Sequence, residues 1–359
     1  MKLPPLRLGE LTAEVPIIQG GMGIGVSRSS LASAVANEGG IGVISGAQIG
    51  FEEEDFASNS AQANLRALRN EIRKAKALSP NGIIGLNLMV AMNNYKENVK
   101  AAVEEKIDLI ISGAGLPTEL PALVKGSKTK IAPIVSSGKA ASVITKMWEK
   151  RYEYIPDMVV VEGPEAGGHL GFSVEQLEAK PRVTLEELIK DVLEALKPFK
   201  DKYNRDIPVI AAGGIFDGKD IARFLKLGAA GVQMATRFIA TEECDADIKY
   251  KEQFIKAKEE DIQLVKSPVG MPGRAIRNEF LESLEGGRLP VKKCYNCLRH
   301  CEPQNTPYCI SQALMEAVKG NTKEGLLFTG SNAYKIDRIV TVKELMEELV
   351  QEAEATYVE

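Results

Sequence analysis

The 359-residue chain is 44% hydrophobic and 26% charged, the composition of an ordinary soluble globular protein. Its net charge of −4 gives no electrostatic reason to bind nucleic acid or an anionic membrane surface. The first residues lack the apolar core of a signal peptide, and no apolar run approaches the ~20 residues that span a bilayer. The sequence therefore predicts a cytoplasmic protein with neither a nucleic-acid partner nor a membrane anchor.

Short apolar segments recur along the chain and mostly alternate with amphipathic stretches. They are continuous runs of Val, Ile and Leu, as expected for strands that are buried on both faces. The predicted strands are 15–20, 41–45, 83–89, 108–112, 130–136, 158–161, 207–212 and 231–238. The main predicted helices cover about 60–77, 95–105, 119–124, 139–149, 185–196, 220–227 and 342–353.

Eight such βα units over roughly 240 residues match a (β/α)8 barrel in number and length. A doubly wound open sheet is the alternative, but its Gly-x-Gly-x-x-Gly fingerprint is missing after the first strand. The sequence thus predicts a TIM-type barrel over residues 1–260. A C-terminal cysteine-containing extension over residues 261–359 would add a lid loop, the cysteine segment and a closing helix.

A glycine-rich loop follows the sixth predicted strand and carries His169, one of two histidines in the chain. The loop lies at a strand's C-terminal end, where α/β proteins collect catalytic groups. Histidine is also the side chain best suited to moving protons near neutral pH. A histidine in an ordinary surface turn is the alternative, which the two preceding glycines make less attractive.

Polar and small residues at other strand ends suit a flavin, which presents a phosphate, a polyol and a flat ring with hydrogen-bonding edges. Gly213 and Gly214 follow the seventh strand, and Gln233–Thr236 belong to the predicted eighth strand, where barrels commonly bind phosphate. Asn87 lies inside an apolar strand and needs a buried partner. Each glycine pair would also suit a tight βα turn, but the combination favours a flavin mononucleotide (FMN) site.

At these positions the sequence resembles the nitronate monooxygenase (2-nitropropane dioxygenase-like) family, which includes flavin-dependent enoyl-ACP reductases. The resemblance runs in order through Gly20-Gly-Met-Gly23, Asn87, Glu162-Gly-Pro-Glu-Ala-Gly-Gly-His169, Ala212-Gly-Gly-Ile215 and Gln233-Met-Ala-Thr-Arg-Phe238. It implies a barrel that binds FMN noncovalently. The cofactor-binding residues that it implies are Gly21, Met22, Gly23, Asn87, Lys139, Glu162, Gly167, Gly168, Gly213, Gly214, Gln233, Met234, Ala235 and Thr236. Ala235 replaces the family's usual glycine, and Lys139 would equally suit a solvated helix start.

The resemblance leaves the reaction open. In the nitronate oxidases the matching histidine acts as a base or orients the substrate, whereas in the enoyl reductases it lies near the substrate carbonyl. Glu162 stands where the nitronate oxidases carry Gln and the enoyl reductases carry Glu. We therefore consider an FMN-dependent nitronate oxidase first, with His169 as base or orienting group. An enoyl-thioester reductase fed by NAD(P)H and a flavin/iron–sulfur electron-transfer protein are the alternatives, and a homodimer is predicted.

Four cysteines crowd the segment 294–309, at Cys294, Cys297, Cys301 and Cys309. This C-x2-C-x3-C-x7-C spacing in a cytosolic chain favours metal or redox chemistry over structural disulfides. Four thiolates suit a [4Fe–4S] cluster or a structural zinc ion, and the cluster is favoured because a flavin would give it an electron-transfer use. A reduced cluster of thiols without metal is the third alternative.

Overall fold

The structure is a computed structural model that describes residues 2–358. Its strands, in chain order, are β1 (Leu6–Leu8), β2 (Leu11–Ala13), β3 (Ile17–Gln19), β4 (Ile41–Ser45), β5 (Ile83–Met89), β6 (Leu109–Gly113), β7 (Lys130–Val135), β8 (Val159–Glu162), β9 (Gly168–His169), β10 (Val209–Ala212), β11 (Gly231–Met234), β12 (Ile262–Lys266) and β13 (Pro272–Ile276). Eight of them close a parallel barrel in the order β10-β11-β3-β4-β5-β6-β7-β8. The predicted (β/α)8 barrel is confirmed.

The helices are α1 (Ser29–Asn37), α2 (Ser60–Leu78), α3 (Tyr95–Glu104), α4 (Leu120–Leu123), α5 (Gly138–Tyr152), α6 (Val174–Glu178), α7 (Leu185–Tyr203), α8 (Gly218–Lys226), α9 (Thr236–Ile239), α10 (Ile248–Lys256), α11 (Glu279–Ser283), α12 (Ile310–Val318) and α13 (Val342–Val358). Within residues 2–358, none of them combines the length and apolarity needed to cross a membrane.

Two apolar layers explain why the barrel strands are continuous apolar runs. Successive side chains of a strand point to opposite faces, so Ile18 and Val43 fill the barrel interior while Ile17 and Ile44 pack against the helices. The β1–β2 hairpin adds Leu6 and other apolar side chains to the interior cluster. The barrel is therefore a packed core, and its open strand ends are left for a site.

The C-terminal extension folds back on the barrel at two places. Helix α13 packs on α8 and α1, where the Glu352 carboxylate accepts a 2.8 Å hydrogen bond from the Gly218 N–H. Strands β12 and β13 form a three-stranded antiparallel sheet with β9, which pairs Gly273 with His169. The division into 1–260 and 261–359 stays a prediction, but the extension completes the helical ring and reaches the strand ends.

Two local predictions were wrong. The eighth barrel strand ends at Met234, so Ala235 follows the strand and Thr236 begins α9 rather than continuing it. The loop before His169 is also more ordered than the glycines indicate, because Gly168 and His169 form β9. Strand β9 exists because it pairs with β13, a distant segment that no local pattern contains.

Candidate active site

Two adjoining cavities of about 170 and 370 Å3 open at the C-terminal ends of the barrel strands. They share the lining residues Gly21, Gly23, Glu162, Gly167, Gly168, Gln233, Leu314 and Phe328. A continuous site of this kind, at this end of a barrel, suits an extended ligand with chemically different halves.

The smaller cavity is built largely from small residues at strand ends. Gly213 and Gly214 take φ angles of +96° and +79°, a left-handed backbone that glycine adopts without the Cβ penalty. They line the cavity together with Met22, Met234, Ala235 and Thr236. The glycine backbone at this cavity wall and the nearby Thr236 hydroxyl are suited to holding a phosphate through N–H and O–H donors.

Gln233 lies between the two cavities and has an orphaned acceptor. Its Oε1 atom is buried and has no hydrogen-bond partner among residues 2–358. Buried polar groups are nearly always paired, because an unpaired one forfeits the hydrogen bonds that water would make. A ligand that donates an N–H or O–H at this point would satisfy Gln233.

A segment of the extension crosses the smaller cavity and ties three barrel loops together. The Gly330 N–H donates to Thr236 Oγ1 at 3.1 Å, and the Ser331 N–H donates to the Glu165 carbonyl at 3.2 Å. The Asn332 side chain donates to the Gly214 carbonyl at 2.7 Å. The loops after β8, β10 and β11 are therefore held in place from residues 330–332.

Two titratable groups with shifted pKa values line the larger cavity. Asn87, Glu162 and His169 line it, with Ser45 and Ser136 on the surrounding wall. Burial raises the pKa of Glu162 from 4.5 to about 7, because the carboxylate loses its water. Glu162 is therefore partly protonated near neutral pH, which lets it donate as well as accept hydrogen bonds.

The pKa of His169 is shifted in the opposite direction to that of Glu162. Burial lowers its pKa from 6.5 to about 4, so the imidazole is neutral at neutral pH. Its Nε2 lies 2.6 Å from Ser267 Oγ, and its ring meets the edge of Phe328 at 4.9 Å between centroids. A neutral imidazole with a fixed orientation is able to accept a proton from a bound substrate.

Arg274 braces the loop that joins Glu162 to His169. Its side chain is buried and donates to the carbonyls of Ala166 and Pro164, the latter at 3.0 Å. Its own backbone pairs with Gly168 in the β13–β9 ladder. Because one residue holds the loop through both side chain and backbone, the position of His169 depends on the extension.

The structure brings together every predicted cofactor-binding residue except Lys139. That lysine is exposed at the second position of α5, while the adjacent Ala140 lines the larger cavity. The sequence predicts a lid loop in the extension but assigns no site role to individual residues there. The structure adds Ser267, Met271, Arg274, Leu314, Phe328, Thr329 and Gly330 to the site.

The four clustered cysteines lie beside this site but are not gathered around a point. Among residues 2–358, no group of three or more His, Cys, Asp or Glu side chains is arranged to hold a single metal ion. All four are free thiols. The pKa of Cys301 is raised first by burial and then by the neighbouring Cys297, Cys294 and Cys309. The thiols are thus close enough to influence one another, and the predicted metal site stays a prediction.

Known proteins with similar sequences are oxidoreductases. The chain matches the family described as nitronate monooxygenase over residues 6–352. It is 28% identical to a 5-hydroxy-7a-methyl-1-oxo-octahydro-1H-indene-4-carboxyl-CoA dehydrogenase of Mycobacterium tuberculosis, over 95% of this chain and 93% of the relative. It is 29% identical to a probable nitronate monooxygenase of Staphylococcus saprophyticus, over 79% and 81% of the two chains.

Solved structures show the same architecture. FabK from Thermotoga maritima superposes with a TM-score of 0.72 at 29% identity, covering 95% of this chain and 93% of FabK. A nitroalkane oxidase from Streptomyces ansochromogenes gives a TM-score of 0.73 at 22% identity, over 96% and 97% of the chains. At that identity the second likeness shows the shared fold.

Fold and comparisons together define this protein as an oxidoreductase enzyme on a TIM-type barrel. The chain belongs to the nitronate monooxygenase family, since the match covers nearly its whole length.

Proposed function

We propose that the protein is an FMN-dependent oxidoreductase that oxidises alkyl nitronates, with His169 as the base or substrate-orienting group. The residues present fit FMN. The glycine-lined smaller cavity suits its phosphate and ribityl chain, and the orphaned Gln233 acceptor suits a hydroxyl or ring N–H. Asn87 and Glu162 line the larger cavity, and their polar groups would suit the edge of a flat ring.

In this site Gly213, Gly214 and Thr236 would hold the phosphate, and Gly167, Gly168, Met234 and Ala235 would line the ribityl path. Gly21, Met22 and Gly23 would lie against the ring. Bound FMN supplies the two-electron acceptor that the protein's own side chains lack. The chain itself positions the bound molecules and provides a cavity shielded from water. It also provides two titratable groups, whose pKa values are shifted in opposite directions.

The position of His169 on the wall of the larger cavity, together with Asn87 and Glu162, is the observation that carries the proposal. Burial keeps the imidazole neutral at neutral pH, which leaves a ring nitrogen free to orient a bound nitronate or to accept the acidic α-proton of a nitroalkane. Ser267 and Phe328 hold the ring in one orientation while it does so.

A second candidate, an enoyl-thioester reductase that uses FMN and NAD(P)H, is favoured by Glu162 and by the full-length relatives. A carboxyl group with a pKa of about 7 is able to hydrogen-bond a thioester carbonyl as a donor. The carboxyl-CoA dehydrogenase and FabK, an enoyl-ACP reductase, both align over more than nine-tenths of this chain. The nitronate monooxygenase relative aligns over 79%.

One pair of assays separates the candidates. We expect purified protein to contain FMN and to consume oxygen when mixed with propyl-2-nitronate under air. Consumption of NADH with crotonyl-CoA under nitrogen, without oxygen uptake in the first assay, would establish the reductase instead. Protein that binds no added FMN would refute both. A third candidate, the flavin/iron–sulfur electron-transfer protein, requires FMN and metal without either turnover.

We extend the proposal to three further features. The segment with Cys294, Cys297, Cys301 and Cys309 is a metal-binding element, for which a [4Fe–4S] cluster is preferred and zinc is the alternative. The protein is a cytoplasmic homodimer. Metal analysis, cell fractionation and analytical ultracentrifugation test these features independently of the reaction.

A further inference from the structure

The smaller cavity combines a backbone suited to phosphate with an acidic lining. Two of its lining residues are acidic, Glu162 and Glu165, and none of those within residues 2–358 is Lys or Arg. A phosphate monoester carries a charge of about −1.5 to −2 at neutral pH, and a neighbouring carboxylate opposes its binding. A phosphate in this cavity therefore requires a cation behind the lining that offsets the carboxylate beside it.

Glu165 is the acidic residue that lies against the backbone assigned to the phosphate. A Cβ built on Gly214 would stand 2.8 Å from Glu165 Oε2. The Ser331 hydroxyl donates to the same carboxylate oxygen at 3.3 Å, and the Ser331 N–H donates to the Glu165 carbonyl at 3.2 Å. Both the backbone and the side chain of Glu165 thus hold the segment 330–332, which keeps the carboxylate next to Gly214.

Arg182 supplies a cation at this carboxylate. Its Nη2 atom donates to Glu165 Oε1 at 2.6 Å, so the two oxygens of Glu165 contact different partners. The side chains of Arg182 and Glu165 are 34% and 42% exposed, so water screens the ion pair and it adds little to folding stability. Its consequence is local, because the pair leaves no net charge on the wall beside Gly214.

The start of α7 places Arg182 near the loop after β8. Arg182 lies two residues before Thr184, the N-cap of α7, which exchanges hydrogen bonds of 2.8 and 3.2 Å with Glu187 in a capping box. A Cβ built on Gly163 would stand 3.1 Å from the Leu185 Cβ, so the first turn of α7 packs on the loop after β8. The position of the guanidinium therefore follows from the helix start and its packing.

Two other arginines near the phosphate end have different partners. The guanidinium of Arg237, which follows the threonine of the phosphate site, pairs with Glu348 at 2.9 Å. Arg274 donates to two backbone carbonyls of the loop after β8. Among the described residues, the salt bridge of Glu165 is the one that it forms with Arg182.

We propose that Arg182, acting through Glu165, makes the smaller cavity selective for FMN over riboflavin, the same flavin without its phosphate. The guanidinium neutralises the Glu165 carboxylate, so the phosphate meets the donors of the glycine backbone and Thr236 without a facing negative charge. Arg182 is a positioning residue, since it affects the phosphate through another side chain. The inference rests on the proposed function for the presence of FMN in this cavity.

Flavin binding to the full-length protein, freed of flavin by dialysis, provides the test. Dissociation constants for FMN and for riboflavin are measured by quenching of flavin fluorescence at low ionic strength. Arg182→Met should raise the constant for FMN on the order of tenfold and leave that for riboflavin unchanged, because the exposed charge acts on the phosphate alone. Added salt should shrink the difference. Arg182→Lys, which keeps the positive charge, should retain most of the preference for FMN.

Arg277→Met is the matched control. Arg277 forms an exposed ion pair with Glu282 at 3.1 Å and lines neither cavity. Both flavins should bind to this variant as they do to the wild type. Weaker binding of FMN in Arg277→Met as well would show that any lost surface charge has the effect, and would overturn the assignment to Arg182.

A double variant separates neutralisation from direct contact with the phosphate. Glu165→Gln removes the charge and keeps an oxygen that accepts from Ser331, so it should bind FMN at least as tightly as the wild type. Adding Arg182→Met to Glu165→Gln should then change the FMN constant by less than about twofold, because no carboxylate remains to be offset. A tenfold loss in the double variant would overturn the proposal in favour of direct contact between Arg182 and the phosphate.

The remaining outcomes also decide the matter. Equal weakening of FMN and riboflavin by Arg182→Met would overturn the proposal, because a purely structural role affects both flavins alike. An unchanged ratio of the two constants in Arg182→Met, with tight FMN binding by the wild type, would refute this inference and leave the proposed function intact. Wild-type protein that binds neither flavin would refute the proposed function and this inference with it.

Discussion

The barrel and the extension contribute to the candidate site in different ways. The barrel supplies short side chains and backbone at strand ends, where each residue's place follows from its strand. The extension supplies Ser267, Arg274 and Phe328, which touch or brace the loop that carries His169. The barrel thus forms most of the cavity wall. The extension fixes the position of His169, the group that we assign to proton transfer.

The largest effect should follow from removing that group. We expect His169→Ala to lower kcat by at least ~100-fold, the usual contribution of a positioned general base, while FMN content is unchanged. His300→Ala is the control, since His300 is the other histidine and is exposed. Steady-state kinetics and the flavin absorbance check both values. Retained activity in His169→Ala would remove the histidine from the mechanism.

Adding a side chain where the barrel loop after β8 contacts the extension should destabilise the protein. A Cβ at Gly167 would stand 2.5 Å from the Thr329 carbonyl carbon and 2.6 Å from the Gly330 nitrogen, so backbone must move. Gly167→Ala should cost about 1–3 kcal/mol of unfolding free energy. Gly286→Ala, where the new methyl meets nothing within 4 Å, should be near neutral. Equal urea midpoints for the two variants would show that the extension does not pack tightly on this loop.

Replacing Arg274 tests whether its hydrogen bonds hold the loop that carries His169. Arg274→Met leaves the carbonyls of Ala166 and Pro164 without their donor, which should cost about 1–3 kcal/mol and lower kcat as His169 loses its support. Arg277→Met, whose side chain is exposed and pairs with Glu282, should cost less than about 1 kcal/mol. A kcat for Arg274→Met equal to that of Arg277→Met would contradict a positioning role for the brace.

Glu162 should give the site a pH dependence. Its pKa is raised from 4.5 to about 7 in the folded state, so the folded protein binds more protons than the unfolded chain between these values. The free energy of unfolding of the wild type should therefore fall, relative to Glu162→Gln, as pH rises from about 4.5 through 7. Urea titrations of both proteins at several pH values measure this. Parallel stability profiles would mean that the carboxyl group is not desolvated.

The smallest effect is expected at Lys139. Because its side chain is exposed, Lys139→Ala should change the FMN dissociation constant by less than about fivefold, the worth of a surface ionic contact. Lys146→Ala, on the same helix and also exposed, is the matched control. A tenfold or greater loss confined to Lys139→Ala would show that this lysine reaches the flavin when FMN is bound.

The sequence alone determined the barrel and its half of the site. Continuous apolar strands alternating with helices are a local pattern, and the carboxyl ends of parallel strands all face one side, so Asn87, Glu162 and Gly213 had to converge. Local patterns also located His169 within its loop.

The tertiary structure decided what surrounds those residues. The pairing of β9 with β13, the crossing of 330–332 over the smaller cavity and the packing of the cysteine segment near His169 join residues about 100 to 200 positions apart. Such contacts leave no local period or spacing in the chain. The opposite pKa shifts of Glu162 and His169 likewise depend on burial, which arises only when the barrel and the extension pack together.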